Sequence, residues 1–177
     1  MSDCIVKMEH ISKTFPGVKA LDDVSFYLNA GEVMALLGEN GAGKSTLMKI
    51  LSGVYTRDEG SIEILGHAVQ EQLTPKKAQE LGVAIIHQEL NMCGHLTVAE
   101  NIFLGREKTR MGVLSQDLMN REAKRILDDL KIDINPNTII SDLPVSRQQM
   151  VEIAKALSTN AKILIMDEPT SALTSKE

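Results

Sequence analysis

One stretch near the start of this chain limits its possible folds more than any other, namely Gly38-Glu39-Asn40-Gly41-Ala42-Gly43-Lys44-Ser45-Thr46. It matches the phosphate-binding loop pattern G-x-x-x-x-G-K-[ST] at every fixed position. Residues 33–37 precede it as an apolar run, which predicts a buried parallel strand. Residues 46–51 follow it with the apolar spacing of a helix. Strand, glycine-rich loop and helix is the order that this pattern requires, so the sequence predicts an α/β fold built around the loop.

The residue types in this loop suit the binding of a triphosphate. Backbone N–H groups of the loop, and of the helix that it opens, can bind a dense anion without any side chain. Gly38, Gly41 and Gly43 allow unusual backbone angles and a close approach of the chain to the phosphates. Lys44 is predicted to place its charge on the β- and γ-phosphates, and Ser45 to ligate Mg²⁺. The alternative is a glycine-rich turn that binds nothing, and the completeness of the pattern argues against it.

The overall composition narrows the classes of protein to which the chain can belong. A net charge of −5 and an aromatic content of 3%, without a basic tract, argue against a general nucleic-acid binder. No apolar run approaches the length of a membrane span, and the N-terminus lacks a signal pattern. Cys4 and Cys93 are therefore expected as free thiols in a reducing compartment.

Polar side chains follow two further apolar runs that read as buried strands. Residues 83–86 lead to Gln88, and residues 162–166 lead to Asp167 and Glu168. Ligands of open α/β sheets bind at the carboxyl ends of the strands. Asp167 is predicted to hold Mg²⁺, Glu168 to polarise the water that attacks the γ-phosphate, and Gln88 to reach the metal or that water. The alternatives are that the two acids only solubilise a strand end and that the glutamine is incidental.

The remaining elements predict three regions. Residues 5–11, 24–28 and 59–66 read as antiparallel strands, with a turn at 15–17, so residues 1–89 form a core with an antiparallel side sheet. Residues 90–158 read as an inserted helical subdomain, and residues 159–177 return to the core. Within these regions the sequence predicts a helix that is capped by Thr74 and ends at Gly82, and capping boxes at 97–100 and 146–149. It also predicts one helix whose apolar face consists of Ala123, Ile126, Leu127 and Leu130.

Taken together, these motifs resemble the ATP-binding cassette (ABC) family over essentially the whole chain. Gly38 to Thr46 matches the Walker A motif, Ile163 to Glu168 the Walker B motif, and Gln88 the Q-loop. The resemblance implies a P-loop NTPase core, mostly a parallel sheet with helices, plus the antiparallel side sheet and the α-helical subdomain. It also places Phe15 where the family has an aromatic side chain that stacks on adenine. An ordinary aromatic at a strand end is the alternative for Phe15.

The resemblance is closer to one branch, the ATPases of bacterial sugar importers of the ribose, galactose and arabinose type. Residues 37–49, 96–107 and 148–157 carry it. In that branch two cassettes are fused in one polypeptide, and this chain resembles the first. The resemblance implies ATP and Mg²⁺ as cofactors and ATP hydrolysis that powers monosaccharide import. It implies a second cassette and membrane permease subunits as partners, an external sugar-binding protein as an indirect one, and a peripheral location on the cytoplasmic side of the cell membrane.

The segment aligned with the family signature L-S-G-G-Q departs from it. Here it reads Leu143-Pro144-Val145-Ser146-Arg147. Pro144 lacks both the hydroxyl and the N–H that would face the γ-phosphate of the partner site, and Val145 adds bulk there. Ser146 is expected to compensate in part as an N-cap hydroxyl, and Arg147 brings a positive charge. The hypothesis is an asymmetric motor in which the site completed by this signature hydrolyses ATP poorly.

The chain ends at Glu177, soon after Walker B, so we expect a fragment of a longer protein. Such a fragment keeps the parts that bind Mg-ATP and lacks the family's switch histidine, so its own turnover is expected to be impaired. A nucleotide-binding module without turnover therefore remains an alternative. A soluble ABC protein of ribosomes or DNA is disfavoured by Ser171-Ala172-Leu173 after Walker B. A phosphate-loop kinase would leave residues 143–157 unexplained.

Overall fold

The computed structural model describes residues 4–39, 41–86, 90–110 and 112–166, which fall into two compact units, Met1–Val83 and Ala84–Glu177. Among these residues no helix is long and apolar enough to cross a membrane. In chain order the elements are β1 Cys4–Phe15, β2 Val18–Asn29, α1 Lys44–Leu51, β3 Glu59–Ile64, β4 His67–Ala68, α2 Pro75–Glu80, β5 Val83–Ile86, α3 Val98–Ile102, β6 Thr109–Arg110, β7 Val113–Leu114, α4 Gln116–Asp129, α5 Val145–Leu157 and β8 Ile163–Met166.

The first unit is built on a four-stranded antiparallel sheet in the order β2-β1-β3-β4. Pro16 and Gly17, the latter at φ 84°, form the two-residue connection between β1 and β2, because a proline followed by a glycine at positive φ suits a tight turn. Val6 and Met8 of β1 are fully buried, as their alternation along the strand requires. The predicted antiparallel side sheet is confirmed.

Helix α1 lies against β2 and buries Leu47, Ile50 and Leu51. The shorter α2 has the ends that the sequence predicted. The Thr74 hydroxyl accepts a hydrogen bond from the Lys77 N–H at 3.3 Å, Pro75 occupies the first turn, and Gly82 follows at φ 83°.

The second unit is mainly helical. Three helices, α3, α4 and α5, surround one buried apolar cluster that includes Ile102, Met119, Leu127 and Val151. The predicted capping box opens α3: the Thr97 side chain accepts from the Glu100 N–H, and the Glu100 carboxylate accepts from the Thr97 N–H at 2.8 Å. Strands β5 and β8 form a two-stranded parallel sheet, as predicted, with Ala84, Ile86 and Ala156 in a smaller cluster.

Two local predictions are wrong. Residues 33–37 belong to none of the sheets formed by the described residues, and Val33 and Leu37 are 97% and 91% exposed. An apolar run becomes a buried strand only where a neighbouring strand completes its hydrogen bonds and its cover, and among the described residues nothing supplies either to this segment. The second is the capping box at 146–149. Pro144, not Ser146, is the N-cap of α5, because its extended backbone (φ −61°, ψ 154°) lets the helix begin at Val145.

Candidate nucleotide-binding site

The phosphate loop of the first unit has the backbone that its glycines predict. Gly41 and Gly43 lie at φ 86° and 82°, and Gly43 is the N-cap of α1. A Cβ at Gly43 would lie 2.6 Å from the Ala20 carbonyl oxygen and 2.8 Å from Leu21 Cδ2. Two separate constraints therefore favour glycine at position 43: the left-handed backbone conformation, and the close contact of the loop with β2, which leaves no room for a Cβ.

Several hydrogen-bond donors lie at the start of α1. Its first hydrogen bond runs from the Leu47 N–H to the Gly43 carbonyl at 2.9 Å, so the N–H groups of residues 44–46 have no acceptor within the helix. The half-buried Lys44 ammonium donates to the carbonyls of Gly38 and Glu39 at 2.7 and 2.9 Å. These backbone donors, the positive end of the helix dipole and the ammonium together suit an anionic phosphate chain.

Phe15 ends β1 and pairs with Val18 across the turn. Its side chain is partly exposed, and its ring centroid lies 5.2 Å from that of Tyr55 in an edge-to-face arrangement. Ala20, two residues after Val18, is the residue against which Gly43 packs. Two strand residues span roughly 7 Å, so the tip of the β1–β2 hairpin is a neighbour of the phosphate loop.

Several predicted site residues lie outside the described residues: Asn40 of the loop, the predicted metal ligands Gln88 and Asp167, and the predicted catalytic residue Glu168. Of the predicted Mg²⁺ ligands, Ser45 alone is described, and it is exposed at the start of α1. Ala42 donates its N–H to the Glu39 carbonyl at 3.1 Å within the loop, while Thr46 lies in the first turn of α1. In the part of the chain that the structure describes, no group of three or more His, Cys, Asp or Glu side chains could hold a metal ion.

The segment aligned with the signature lies in the second unit, at the start of α5. Pro144 and Val145 are exposed, and the first hydrogen bond of the helix runs from the Gln148 N–H to the Pro144 carbonyl at 3.0 Å. Ser146 lies within the first turn, so it does not act as the expected N-cap hydroxyl. The Arg147 guanidinium donates to the Asp133 carbonyl at 2.6 Å, which fixes its charge beside the neighbouring loop.

Two polar residues to which no sequence motif assigned a role, Asn101 and Glu152, are buried in the second unit. Asn101 is fully buried; its amide oxygen accepts from the Cys93 N–H at 2.8 Å, and its amide nitrogen donates to the carbonyls of Cys93 and Thr97 at 3.0 Å each. Glu152 is 7% exposed, and burial raises the pKa of its carboxyl, with the Asn91 N–H acting in the opposite direction. A polar residue amid the apolar spacing of a helix is the signal that could have found both.

The amino-acid sequence matches the model of the family described as ABC transporter over residues 21–171. It is 55% identical to the putative ribose/galactose/methyl galactoside import ATP-binding protein 3 of Burkholderia ambifaria, over 98% of this chain and 34% of that protein. It is 48% identical to the galactose/methyl galactoside import ATP-binding protein MglA of Treponema denticola, over 100% of this chain and 35% of that protein. The chain thus spans about a third of the length of the curated relatives it matches.

Solved structures give the same assignment of fold. A nucleotide-free ATP-binding cassette from an ABC transporter superposes with a TM-score of 0.84 at 28% identity, over 97% of this chain and 72% of that one. The ADP conformation of the ATP-binding cassette MJ1267 superposes with a TM-score of 0.81 at 30% identity, over 98% of this chain and 72% of that one. A dimeric post-hydrolysis state of the cassette MJ0796, bound to ADP and Pi, superposes with a TM-score of 0.81 at 26% identity, over 97% of this chain and 77% of that one.

Proposed function

This chain belongs to the ABC transporter family, and from that membership we propose that it is the ATP-binding and ATP-hydrolysing cassette of a bacterial sugar importer. The observation that carries the proposal is the phosphate loop. It combines glycines at positive φ, one of them packed on β2, with N–H groups at the start of α1 that have no acceptor within the helix and with an ammonium over the loop. The names of the relatives, which are import ATP-binding proteins for ribose and galactose, support the choice of substrate class.

In this proposal the predicted residues take the roles that the sequence assigned to them. The loop and the N–H groups of residues 44–46 bind the phosphates, and Lys44 neutralises the β- and γ-phosphates. Ser45 and Asp167 would hold Mg²⁺, and Gln88 would reach the metal or the attacking water. When bound, the ion would offset the charge that develops on the leaving phosphate. Glu168 orients and polarises the attacking water. Phe15, beside the loop, stacks on the adenine ring.

We further propose that the chain is the first of two cassettes, each completing the other's site. Residues 144–147 would face the ATP of the partner site with the N–H groups of residues 145–147, which have no acceptor within α5. Arg147 is already bound to the Asp133 carbonyl, and Pro144 offers no donor. This supports an asymmetric motor, in which the site completed by this segment turns over slowly. Equal turnover at the two sites, measured one at a time in the whole assembly, would contradict it.

The cassette pair would act on the cytoplasmic side of the cell membrane, as a peripheral part of a permease. An external sugar-binding protein would deliver the monosaccharide to that permease. Within the chain, the proposed division is a core with side sheet at 1–89, a helical subdomain at 90–158 and a return to the core at 159–177. A nucleic-acid partner has no place in this proposal, since the chain carries a net charge of −5.

Binding of Mg-ATP by the chain tests the proposal directly. Lys44→Ala removes a charge-assisted contact of about 1.5–3 kcal/mol, so affinity should fall about 10- to 100-fold. Lys76→Ala, an exposed lysine of α2, is the matched control and should leave affinity unchanged. Unchanged affinity in Lys44→Ala would refute a nucleotide site at this loop.

Turnover is measured with the cassette in its complete assembly. Glu168→Gln should retain binding and abolish hydrolysis, because the amide cannot polarise the attacking water. Hydrolysis that survives Glu168→Gln would show that another group activates the water. Binding without hydrolysis in the wild-type assembly would instead favour a nucleotide-binding module without turnover.

A further inference from the structure

We propose that Tyr55 and Asp58, in the segment that follows α1, are positioning residues for the nucleotide base. Together they hold Phe15 at the tip of the β1–β2 hairpin. Tyr55 does so by packing against the Phe15 ring, and Asp58 by fastening the backbone that precedes it. This inference rests on the proposed nucleotide site and adds to it the residues that define its base-binding end.

Tyr55 is tied to the same helix that begins at the phosphate loop. Its N–H donates to the Lys49 carbonyl at 3.0 Å, and the Lys49 ammonium lies 5.4 Å from the centroid of its ring. The ring is partly buried and meets Phe15 at an interplanar angle of 68° and a centroid distance of 5.2 Å. That geometry is the favourable edge-to-face arrangement of an aromatic pair. Helix α1 therefore links the phosphate loop at one end with the support of Phe15 at the other.

Asp58 holds the end of β1 through three hydrogen bonds. One carboxylate oxygen accepts from the Lys13 ammonium at 2.6 Å, and the other accepts from the Thr14 N–H at 2.7 Å. The Asp58 N–H donates to the Ser12 carbonyl at 3.0 Å. The two carboxylate contacts lower the pKa of Asp58, so it stays ionised at neutral pH. The three residues that Asp58 binds, Ser12, Lys13 and Thr14, are the three that come immediately before Phe15 in the chain.

Lys13 completes the arrangement. Its side chain is only 13% exposed, and its ammonium lies 5.6 Å from the centroid of the Phe15 ring while bound to Asp58. A cation at this distance is attracted to an aromatic ring. Phe15 is thus held by its backbone, by an aromatic neighbour and by a cation, although it sits beside a two-residue turn where an unsupported side chain would be free to change rotamer.

Support of this kind affects binding of the base and not of the phosphates. Stacking of a base on an aromatic side chain strengthens binding, and ordering a mobile side chain on binding reduces that gain. Loss of the Tyr55 ring removes the aromatic pair that orders Phe15. The affinity for ATP should then fall about two- to tenfold. The affinity for inorganic tripolyphosphate, which lacks a base, should not change.

The test compares the dissociation constants of Mg-ATP and Mg-tripolyphosphate for the chain and its variants. Tyr55→Ala and Asp58→Asn should weaken ATP binding about two- to tenfold and leave tripolyphosphate binding within about twofold. The reference variant Phe15→Ala, which loses the stacking itself, should weaken ATP binding about 5- to 150-fold and likewise leave tripolyphosphate binding within about twofold. Tyr55→Phe keeps the ring and should restore ATP binding. Tyr27→Ala, which removes an exposed tyrosine of β2, is the matched control and should change neither constant. Tyr55→Leu, which keeps bulk in place of the ring, serves if Tyr55→Ala does not fold.

Each other outcome overturns the inference in a distinguishable way. Unchanged ATP binding in Tyr55→Ala would show that Phe15 needs no support or receives no base. Equal weakening of ATP and tripolyphosphate would show general damage to the first unit. If the wild-type chain bound tripolyphosphate more tightly than ATP, the proposed base site at Phe15 would be refuted, while phosphate binding by the loop would be supported. If it bound neither ligand, the proposed function would fail as well.

Discussion

Gly43→Ala offers the sharpest test of the loop geometry, because two separate physical effects oppose an alanine there. The backbone at φ 82° lies in the left-handed region, where a Cβ costs about 1–2 kcal/mol. The new Cβ would also lie 2.6 Å from the Ala20 carbonyl oxygen, and relieving such overpacking costs about 1–3 kcal/mol. The free energy of unfolding should therefore fall by about 2–5 kcal/mol.

Gly41 separates the two effects. It has nearly the same backbone, at φ 86°, but a Cβ there meets no atom within 4 Å. Gly41→Ala should accordingly cost only the backbone term of about 1–2 kcal/mol. Gly31, at φ 73° and equally open, lies outside the loop and should show the same cost as Gly41.

Urea unfolding followed by tyrosine fluorescence measures the free energies of unfolding of these variants and reports on the first unit, which contains the phosphate loop. The chain has two tyrosines and no tryptophan, and both Tyr27 and Tyr55 lie in the first unit. The measurement is made without nucleotide, so that ligand binding does not enter the stability. If Gly43→Ala cost no more than Gly41→Ala, the close contact between the loop and β2 would be wrong. If neither variant lost stability, the left-handed backbone of the loop would be wrong as well.

Two further predictions concern the second unit and are measured by urea unfolding followed by circular dichroism at 222 nm. Asn101→Leu should lower the free energy of unfolding by about 3 kcal/mol, because it leaves buried backbone groups of the loop at 93–97 without their amide partner. The control Asn137→Ala, at an exposed position, should change the free energy of unfolding little, and equal effects of the two variants would contradict the role of Asn101. Thr97→Ala should cost about 1 kcal/mol through loss of the capping box, and Thr97→Ser should not; equal losses would refute the capping role of the hydroxyl.

The features that could be predicted from the sequence are those fixed by neighbours in the chain. The proline–glycine turn before Val18, the caps of α2 and the capping box at Thr97 each depend on a few consecutive residues, and the structure has all three. The glycines of the phosphate loop belong to the same class, since Gly41 and Gly43 have the positive φ that the pattern required. Local chemistry was sufficient for these elements.

The features that could not be predicted depend on distant residues or on competition between neighbours. Tyr55 supports Phe15 across 40 positions of sequence, and no periodic pattern joins them. Pro144 competes with Ser146 for the N-cap of α5, and the proline prevails because its backbone is already extended. The run at 33–37 has the composition of a buried strand, but its burial depends on neighbouring strands that its own sequence does not specify.

Glu152 carries the last prediction, which concerns pH. Its side chain is buried on α5, and burial raises the pKa of its carboxyl above the usual value of 4.5. The folded state therefore holds the proton more tightly than the unfolded chain does. It follows that the stabilisation from protonated Glu152 is complete below about pH 4.5 and is lost as the pH rises through the higher pKa of the folded state.

Glu152→Gln keeps the shape and an acceptor for the Asn91 N–H but cannot become charged. It should be more stable than the wild-type chain at pH 7 to 8, and the difference should vanish towards pH 4. Urea unfolding of both chains over this pH range, followed by circular dichroism, measures the difference, with Glu71→Gln, an exposed glutamate, as the control. A variant less stable than the wild-type at pH 7 would contradict the argument. It would mean that the charged carboxylate gains more from the Asn91 N–H and the neighbouring Lys155 than burial costs it.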